Sequence, residues 1–400
     1  MSRPSAIRVT VLLLALCQAL AMTSMSILAT TSAIIGNMLA ADKALSTVPV
    51  ALQMTGMLTA TLPAAFLMVR IGRRGGFWTG CTLGIAGAAT AGFAVWQSSF
   101  PVFCLGTLLI GSSNGFAQQY RFAAAECADQ EFRSKAISLV LAGGVVSGIF
   151  GPQTAIWSRD LFAPILFAGC FVMVAALQAG AAILLLFVRL PPALSPELRA
   201  SGRPLRRIIA QPALIVAVLA GTAGYAVMSL LMTATPIAMI GCGYGFADAA
   251  FVIQWHVLGM YAPSFVTGHL ISRFGLTQIL LTGAALLLVC CGINLSGIAV
   301  LDFWSALTVL GIGWNFLFIG ATTLLTQTYA PHEKAKVQAV NDFTIFGVTT
   351  IAAFLSGALL TGFGWNAIQF AVMPVIATAA IAVLWLRLAM RGGVPRYAGE

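Results

Sequence analysis

The chain has 400 residues, of which 60% are hydrophobic and 8% are charged, with a mean hydropathy of +0.96 and a formal net charge of +10. A soluble domain carries about 25% charged residues. This composition therefore excludes a water-soluble globular protein and predicts a chain whose outer surface contacts lipid.

Apolar stretches near the ~20-residue length that crosses a bilayer recur along the whole chain. They predict an all-α membrane protein with twelve transmembrane helices. In chain order, the predicted spans are approximately 9–36, 46–69, 75–95, 101–120, 136–158, 163–188, 211–240, 247–271, 276–297, 300–322, 338–361 and 365–388.

Basic residues are concentrated on one side of the predicted membrane. When the gaps between spans are assigned alternately to two sides, all 21 Lys and Arg residues except Lys43 and Arg159 fall on the same side. The positive-inside rule makes that side cytoplasmic. Both termini are therefore expected in the cytoplasm and the chain in the cytoplasmic (inner) membrane. Topology accounts for the positive charge, so no nucleic-acid partner is expected.

The most polar stretch runs from Arg189 to Pro212 and is rich in proline and arginine, which disfavour a continuous helix. It divides the predicted spans six and six. The sequence therefore predicts an N-terminal six-helix half at 1–188, a cytoplasmic linker at 189–210 and a C-terminal six-helix half at 211–400.

Short motifs recur between the two predicted halves. After the second span, residues 70–72 (Arg-Ile-Gly) match residues 273–275 (Arg-Phe-Gly) after the eighth, at an offset of 203. After the fourth span, the basic pair within 133–135 matches the pair within 334–336 after the tenth, at an offset of 201. Two matches at nearly one offset indicate an internal repeat.

With these motifs the chain resembles the major facilitator superfamily over its whole length. The family signature G-x-x-x-D-R-x-G-R-R aligns with residues 65–74, which keep the Arg, the second Gly and the basic pair but have Ala65 and Val69 in place of the first Gly and the Asp. Residues 143–152, GGVVSGIFGP, resemble the glycine-rich signature of the fifth helix. The resemblance implies two pseudo-symmetric six-helix halves with a substrate site near the bilayer midplane.

No carboxylate falls near the middle of a predicted span, although the chain has 11 Asp and Glu residues. An intramembrane carboxylate is the usual proton carrier of a pump. A proton-coupled multidrug exporter of the common kind therefore loses support, and a version with His256 as its proton carrier stays open.

Soft metal ligands occur at matching depths in two consecutive spans. Met228 and Met232 are four apart in the seventh span, and His256 and Met260 are four apart in the eighth. Spacing of four places each pair on one helix face, and the 1.5 Å rise pairs Met232 with His256 at ~12–14 Å from the outer end. Thioethers and imidazole suit Cu(I), so these four residues predict a copper site. The alternative for the methionines is core packing.

The same two motifs resemble those of the CcoA-like transporters, a group of copper importers within the superfamily. That resemblance implies copper import for assembly of cbb3-type cytochrome oxidase, with Met228, Met232, His256 and Met260 as ligands and cytoplasmic copper acceptors as partners. Copper is then the substrate, no resident cofactor is expected, and a monomer is expected. No nucleophile–base arrangement or phosphate loop is present, so the chain is not expected to be an enzyme.

Members of the same group also resemble riboflavin importers, which makes a flavin the second substrate hypothesis. Four residues of the predicted cavity, Tyr225, Trp255, Trp314 and Asn315, can sandwich and hydrogen-bond an isoalloxazine ring. Helix packing or lipid contact is the alternative for these side chains.

Other candidates have weaker signals. Cys242, just past the seventh span, is a candidate copper receptor, whereas His269 and His332 are expected to be solvated. Four further methionines near mid-depth, at a spacing of three, form a candidate relay for a soft ion: Met22, Met25, Met54 and Met57.

Overall fold

The computed structural model describes the chain except for residues 1–2, 128–135, 137–138, 141, 189, 191–202, 331–332 and 392–400. The described part is helical and contains no strand, which confirms the predicted all-α class. Its α-helices are, in chain order, α1 (Arg3–Leu39), α2 (Val48–Trp96), α3 (Phe100–Ala117), α4 (Tyr120–Cys127), α5 (Gly143–Arg159), α6 (Ala168–Phe187), α7 (Leu205–Ile209), α8 (Pro212–Gly241), α9 (Phe246–Tyr261), α10 (Ser264–Phe274), α11 (Leu276–Ser296), α12 (Val300–Thr326) and α13 (Lys334–Arg391).

Within the described residues, nine helices are long and apolar enough to cross a membrane, or ten if the bent pair α9 and α10 is one span. Twelve spans were predicted. One of the nine, Lys336–Ala389, holds the last two predicted spans on either side of Gly364, where the backbone leaves helical geometry. Another predicted span corresponds to α5, which has only 17 residues. Each of the twelve predicted spans therefore has a helical counterpart.

The recurring motif forms the same turn at both of its occurrences. Gly72 has φ 79° and ψ 159°, and Gly275 has φ 92° and ψ 151°. Only glycine adopts this region without strain, so the sharp change of direction after each span requires a glycine there. The shared conformation supports the internal repeat. The other recurring motif lies partly outside the described residues, at 133–135.

The glycine-rich segment at the start of α5 packs tightly on α1. A Cβ on Gly143 would lie 2.9 Å from the backbone nitrogen of Ala19, and one on Gly151 would overlap Ser26. Glycine at both positions removes these clashes and lets the two backbones approach closely. The glycine-rich segment is therefore the surface through which α5 contacts α1.

The chain divides into two compact units, Met1–Leu194 with Pro236–Val257, and Ser195–Thr235 with Leu258–Glu400. The core of the first unit contains fully buried rings such as Phe77, Phe103 and Phe171. The predicted halves at 1–188 and 211–400 and their linker at 189–210 stay a prediction, since most of that linker lies outside the described residues.

Candidate functional site

Five aromatic rings of the second unit, carried by four helices, form one cluster, the aromatic cluster. The Tyr225 ring on α8 makes edge-on contacts with Trp314, Phe318 and Phe346, at centroid distances of 5.0, 5.3 and 5.6 Å. Trp314 and Phe318, one turn apart on α12, are stacked at 5.0 Å, and Tyr261 on α9 lies 6.1 Å from Trp314. Edge-on and stacked pairs are the arrangements that aromatic rings favour.

Two polar groups, one in this cluster and one a helical turn from it, lack a hydrogen-bond partner within the described residues. The indole N–H of Trp314 is one, although the side chain is only 2% exposed. The hydroxyl of Thr222, one turn before Tyr225 on α8, is the other. A buried polar group without a partner is costly and calls for an explanation. A bound molecule with oxygen acceptors and a flat ring would satisfy both the N–H and the surrounding rings.

Asn315, expected as a ligand contact, is bonded within the protein. Its side-chain nitrogen donates to the backbone oxygen of Met260 (2.7 Å) and to the Ser264 hydroxyl (2.6 Å). Its side-chain oxygen accepts from the Thr267 hydroxyl at 2.7 Å. These bonds hold the 44° bend between α9 and α10, where Pro263 has no N–H to continue the helical ladder. Asn315 therefore has a structural role at this bend.

The structure brings two of the four predicted flavin-contacting residues, Tyr225 and Trp314, into direct contact. Trp255 belongs to the first unit, is 38% exposed, and contacts Phe251 one turn earlier on α9 at 6.3 Å. Sequence reasoning missed Thr222, Tyr261, Phe318 and Phe346. Nothing in the sequence distinguishes these residues from others in apolar helices. They are recognised only when the tertiary structure places the helices side by side.

The four residues of the predicted copper site are divided between the units. Met228, Met232 and Met260 belong to the second unit and His256 to the first. His256 is fully buried, Met228 and Met260 are 8% and 7% exposed, and Met232 is half-buried. Assembly of the four into one metal site stays a prediction.

The remaining His and Cys candidates for metal ligation do not form a cluster within the described residues. Within the described part of the chain, no group of three or more His, Cys, Asp or Glu side chains is arranged to hold a metal. Cys242 and His269 are exposed, and His332 lies outside the described residues. Of the four relay candidates, Met57 is buried and the others are half-buried: Met22, Met25 and Met54.

The first unit contains buried amide side chains that the sequence analysis did not single out. Gln18 on α1, Asn114 on α3 and Gln178 on α6 are 6%, 3% and 3% exposed. Each has one amide atom without a hydrogen-bond partner within the described residues: Gln18 Oε1, Asn114 Nδ2 and Gln178 Nε2. These residues could have been found in the sequence as amide side chains within apolar spans. Burying an amide is costly unless the amide makes a polar contact.

Comparison with known proteins gives a consistent result over nearly the whole chain. Residues 14–349 match the family described as Major Facilitator Superfamily. The chain is 42% identical over 394 residues to the riboflavin transporter RfnT of Brucella anthropi, covering 98% of this chain and 99% of that one. It is 26% identical over 381 residues to the MFS-type transporter YdeG of Bacillus subtilis, covering 90% and 87%.

Solved structures share the same fold. A bacterial homologue of the human lysosomal transporter Spinster matches with a TM-score of 0.70 at 15% identity, over 98% of both chains. An auto-inhibited peptide transporter of the POT family matches with a TM-score of 0.68 at 14% identity, over 99% of both chains. At these identities the likeness concerns the fold alone.

Proposed function

The chain belongs to the major facilitator superfamily and is a multi-pass membrane transporter, and from this premise we propose that it imports riboflavin or a closely related flavin across the cytoplasmic membrane. The observation that carries the proposal is the aromatic cluster, whose Trp314 N–H has no partner among the residues that the structure describes, in a chain 42% identical to a riboflavin transporter.

The chemistry of the aromatic cluster suits this substrate. An isoalloxazine is flat and apolar across its faces, with carbonyl oxygens on one edge, and riboflavin carries no net charge. Tyr225, Trp314 and Phe346 supply ring contacts, and the Trp314 N–H can donate to a carbonyl or a ribityl oxygen. Because the residues of the cluster are uncharged, a neutral ligand leaves no unpaired charge in the membrane.

Copper import is the competing proposal from the sequence. Its support is the spacing of Met228, Met232, His256 and Met260 and the complete burial of His256. In its favour, an ionisable side chain inside the membrane usually has a function. The identity to a riboflavin transporter supports the flavin proposal instead.

Uptake into vesicles tests both proposals on one preparation. Purified protein is reconstituted in liposomes, and uptake of radioactive riboflavin and radioactive copper is compared with protein-free liposomes. We expect saturable accumulation of riboflavin and none of copper above the control. Accumulation of copper without riboflavin would contradict the proposal and favour the Met/His site.

A further inference from the structure

The two basic residues on the predicted outer side differ in what they contact. The ammonium group of Lys43 donates to the backbone oxygens of Asn37 and of Ala40, the latter at 2.9 Å. It therefore caps the carboxyl end of α1, where a positive charge is stabilising. Lys43 has a structural explanation.

Arg159, at the end of α5, does not cap a helix in this way. Its guanidinium lies over the rings of Phe167 and Phe246, at 5.6 and 5.5 Å from their centroids. Its Nε is 3.5 Å from the carboxylate of Asp160, which is 61% exposed, and exposed pairs of this kind are weak. The Nε of Arg159 is buried and has no hydrogen-bond partner within the described residues. The side chain as a whole is 33% exposed, which leaves its terminal N–H groups to donate to a ligand.

Arg159 forms part of the wall of a cavity of about 320 Å³ inside the first unit, the outer cavity. Phe167 and Phe246 line it together with Asn37 and Tyr244, and Met38 at its edge is 53% exposed. Its volume falls in the range of about 300–1,000 Å³ that is typical of small-molecule sites. An available guanidinium in a mostly apolar, aromatic wall favours a flat ligand that carries paired oxygen acceptors.

We propose that the outer cavity is a second flavin site, in which Arg159 donates hydrogen bonds to the carbonyl edge of the isoalloxazine before the molecule moves into the membrane. The inference rests on the proposed function, since it takes its ligand from there. The planar fork of Arg159 matches two acceptors on one ring edge, and the apolar side chains around it cover the ring faces. Lys43 cannot take this role, because its ammonium is bonded to α1.

Protection from labelling in intact cells tests the site without measuring transport. Met38→Cys is made in a Cys242→Ser background, because Cys242 is an exposed cysteine near the cavity. A membrane-impermeant maleimide should label the new cysteine, and riboflavin should slow the labelling. Adding Arg159→Gln should raise the riboflavin concentration needed for protection roughly tenfold, as expected for the loss of about 1.4 kcal/mol of binding.

Two further variants separate recognition from charge and from folding. Lys43→Gln removes the same charge from the same side without touching the guanidinium, and should change the protecting riboflavin concentration far less than Arg159→Gln does. Arg159→Lys keeps the charge but loses the planar fork. The riboflavin concentration that it needs for protection should lie between those of the parent and of Arg159→Gln. Equal membrane abundance of all variants is the condition for comparing them.

The outcomes distinguish this inference from the proposed function. Riboflavin that accumulates in cells without protecting Met38→Cys would overturn the outer site and leave the function standing. Protection of Met38→Cys by riboflavin without accumulation of riboflavin would overturn the proposed import function and leave the outer site standing. Full protection in Arg159→Gln would overturn the role of Arg159, and a Met38→Cys that the maleimide cannot reach from outside would overturn the cavity as an entry site.

Discussion

Tyr225 on α8 and Trp314 on α12 are in edge-to-face contact, with ring centroids 5.0 Å apart and an interplanar angle of 79°. The contact leaves the buried indole N–H of Trp314 without a hydrogen-bond partner within the described residues. A ring pair of this kind stabilises helix packing, but packing does not require a buried donor without an acceptor. The N–H without a partner within the described residues therefore supports the proposed binding site over a simple core contact.

Trp314→Phe tests this donor directly. Phenylalanine keeps a ring in the cluster and removes the N–H, so the hydrogen bond to the flavin is lost. We expect the KM for riboflavin uptake to rise about five- to tenfold, as the loss of roughly 1 kcal/mol predicts. Trp385→Phe is the matched control, since Trp385 is 53% exposed and outside the cluster. Equal KM values for the two variants would show that the N–H does not contact the substrate.

Replacing the methionines of the predicted copper site distinguishes the two substrates. Met228→Leu and Met232→Leu conserve volume, so packing should change by less than ~1.5 kcal/mol, while thioether ligation disappears. We expect both variants to import riboflavin at nearly the parental rate. A variant of normal membrane abundance that loses a copper uptake present in the parent would instead establish the Met/His site.

The ion pair of Glu333 and Arg203 makes stability depend on pH. Glu333 is 1% exposed and bonds the Arg203 side chain at 2.7 Å, with further bonds from the backbone N–H groups of Arg203 and Ala330. The hydrogen bonds from Arg203 hold the pKa of Glu333 well below its ordinary value. A lowered carboxyl pKa contributes stability above the unfolded pKa, about 4.3 for Glu, that is lost as pH falls toward the folded value.

Glu333→Gln should therefore lower the Tm at pH 7 and reduce the decline in Tm between pH 6 and pH 3. Thermal unfolding of purified protein followed by tryptophan fluorescence measures both. Arg206→Gln, at a neighbouring exposed position, should behave as the parent. Parallel Tm curves for Glu333→Gln and the parent would mean that this pair does not set the acid sensitivity.

Gly72→Ala tests the turn between the second and third predicted spans. A Cβ at Gly72 would meet nothing within 4 Å, but φ is +79°, so the whole effect comes from backbone strain. We expect a loss of about 1–3 kcal/mol in stability, seen as a lower Tm in detergent. Gly241→Ala, where space is also open and φ is not positive, should have little effect. Equal Tm values for the two variants would show that the positive φ at position 72 does not require glycine.

Cysteine labelling checks the predicted orientation. Ala41→Cys, next to Lys43, should react with an impermeant maleimide on intact cells, whereas Arg206→Cys should react only after permeabilisation, because the basic side is expected to be cytoplasmic. Both variants are made in a Cys242→Ser background, because Cys242 is exposed. Both positions are exposed in the structure. The opposite pattern would reverse the assignment of the termini.

The sequence by itself determined the membrane class, the positions of the spans and the recurrence of the Arg-x-Gly motif. Hydropathy identifies a span because a backbone in lipid must satisfy its hydrogen bonds within one helix, so the signal is local. The same holds for Gly72 and Gly275, whose positive φ is a requirement of a single residue. These features need no knowledge of which helices are neighbours.

Only the tertiary structure decided which side chains meet. Sequence reasoning put copper first because Met228 with Met232, and His256 with Met260, share a helix face at a spacing that one helix alone determines. The aromatic cluster needs four helices, so Tyr261 and Phe346 gave no signal before those helices were packed. Asn315 was one of the residues expected to contact a flavin, yet its partners lie at the bend between α9 and α10, which only the packing of α12 beside that bend brings to it.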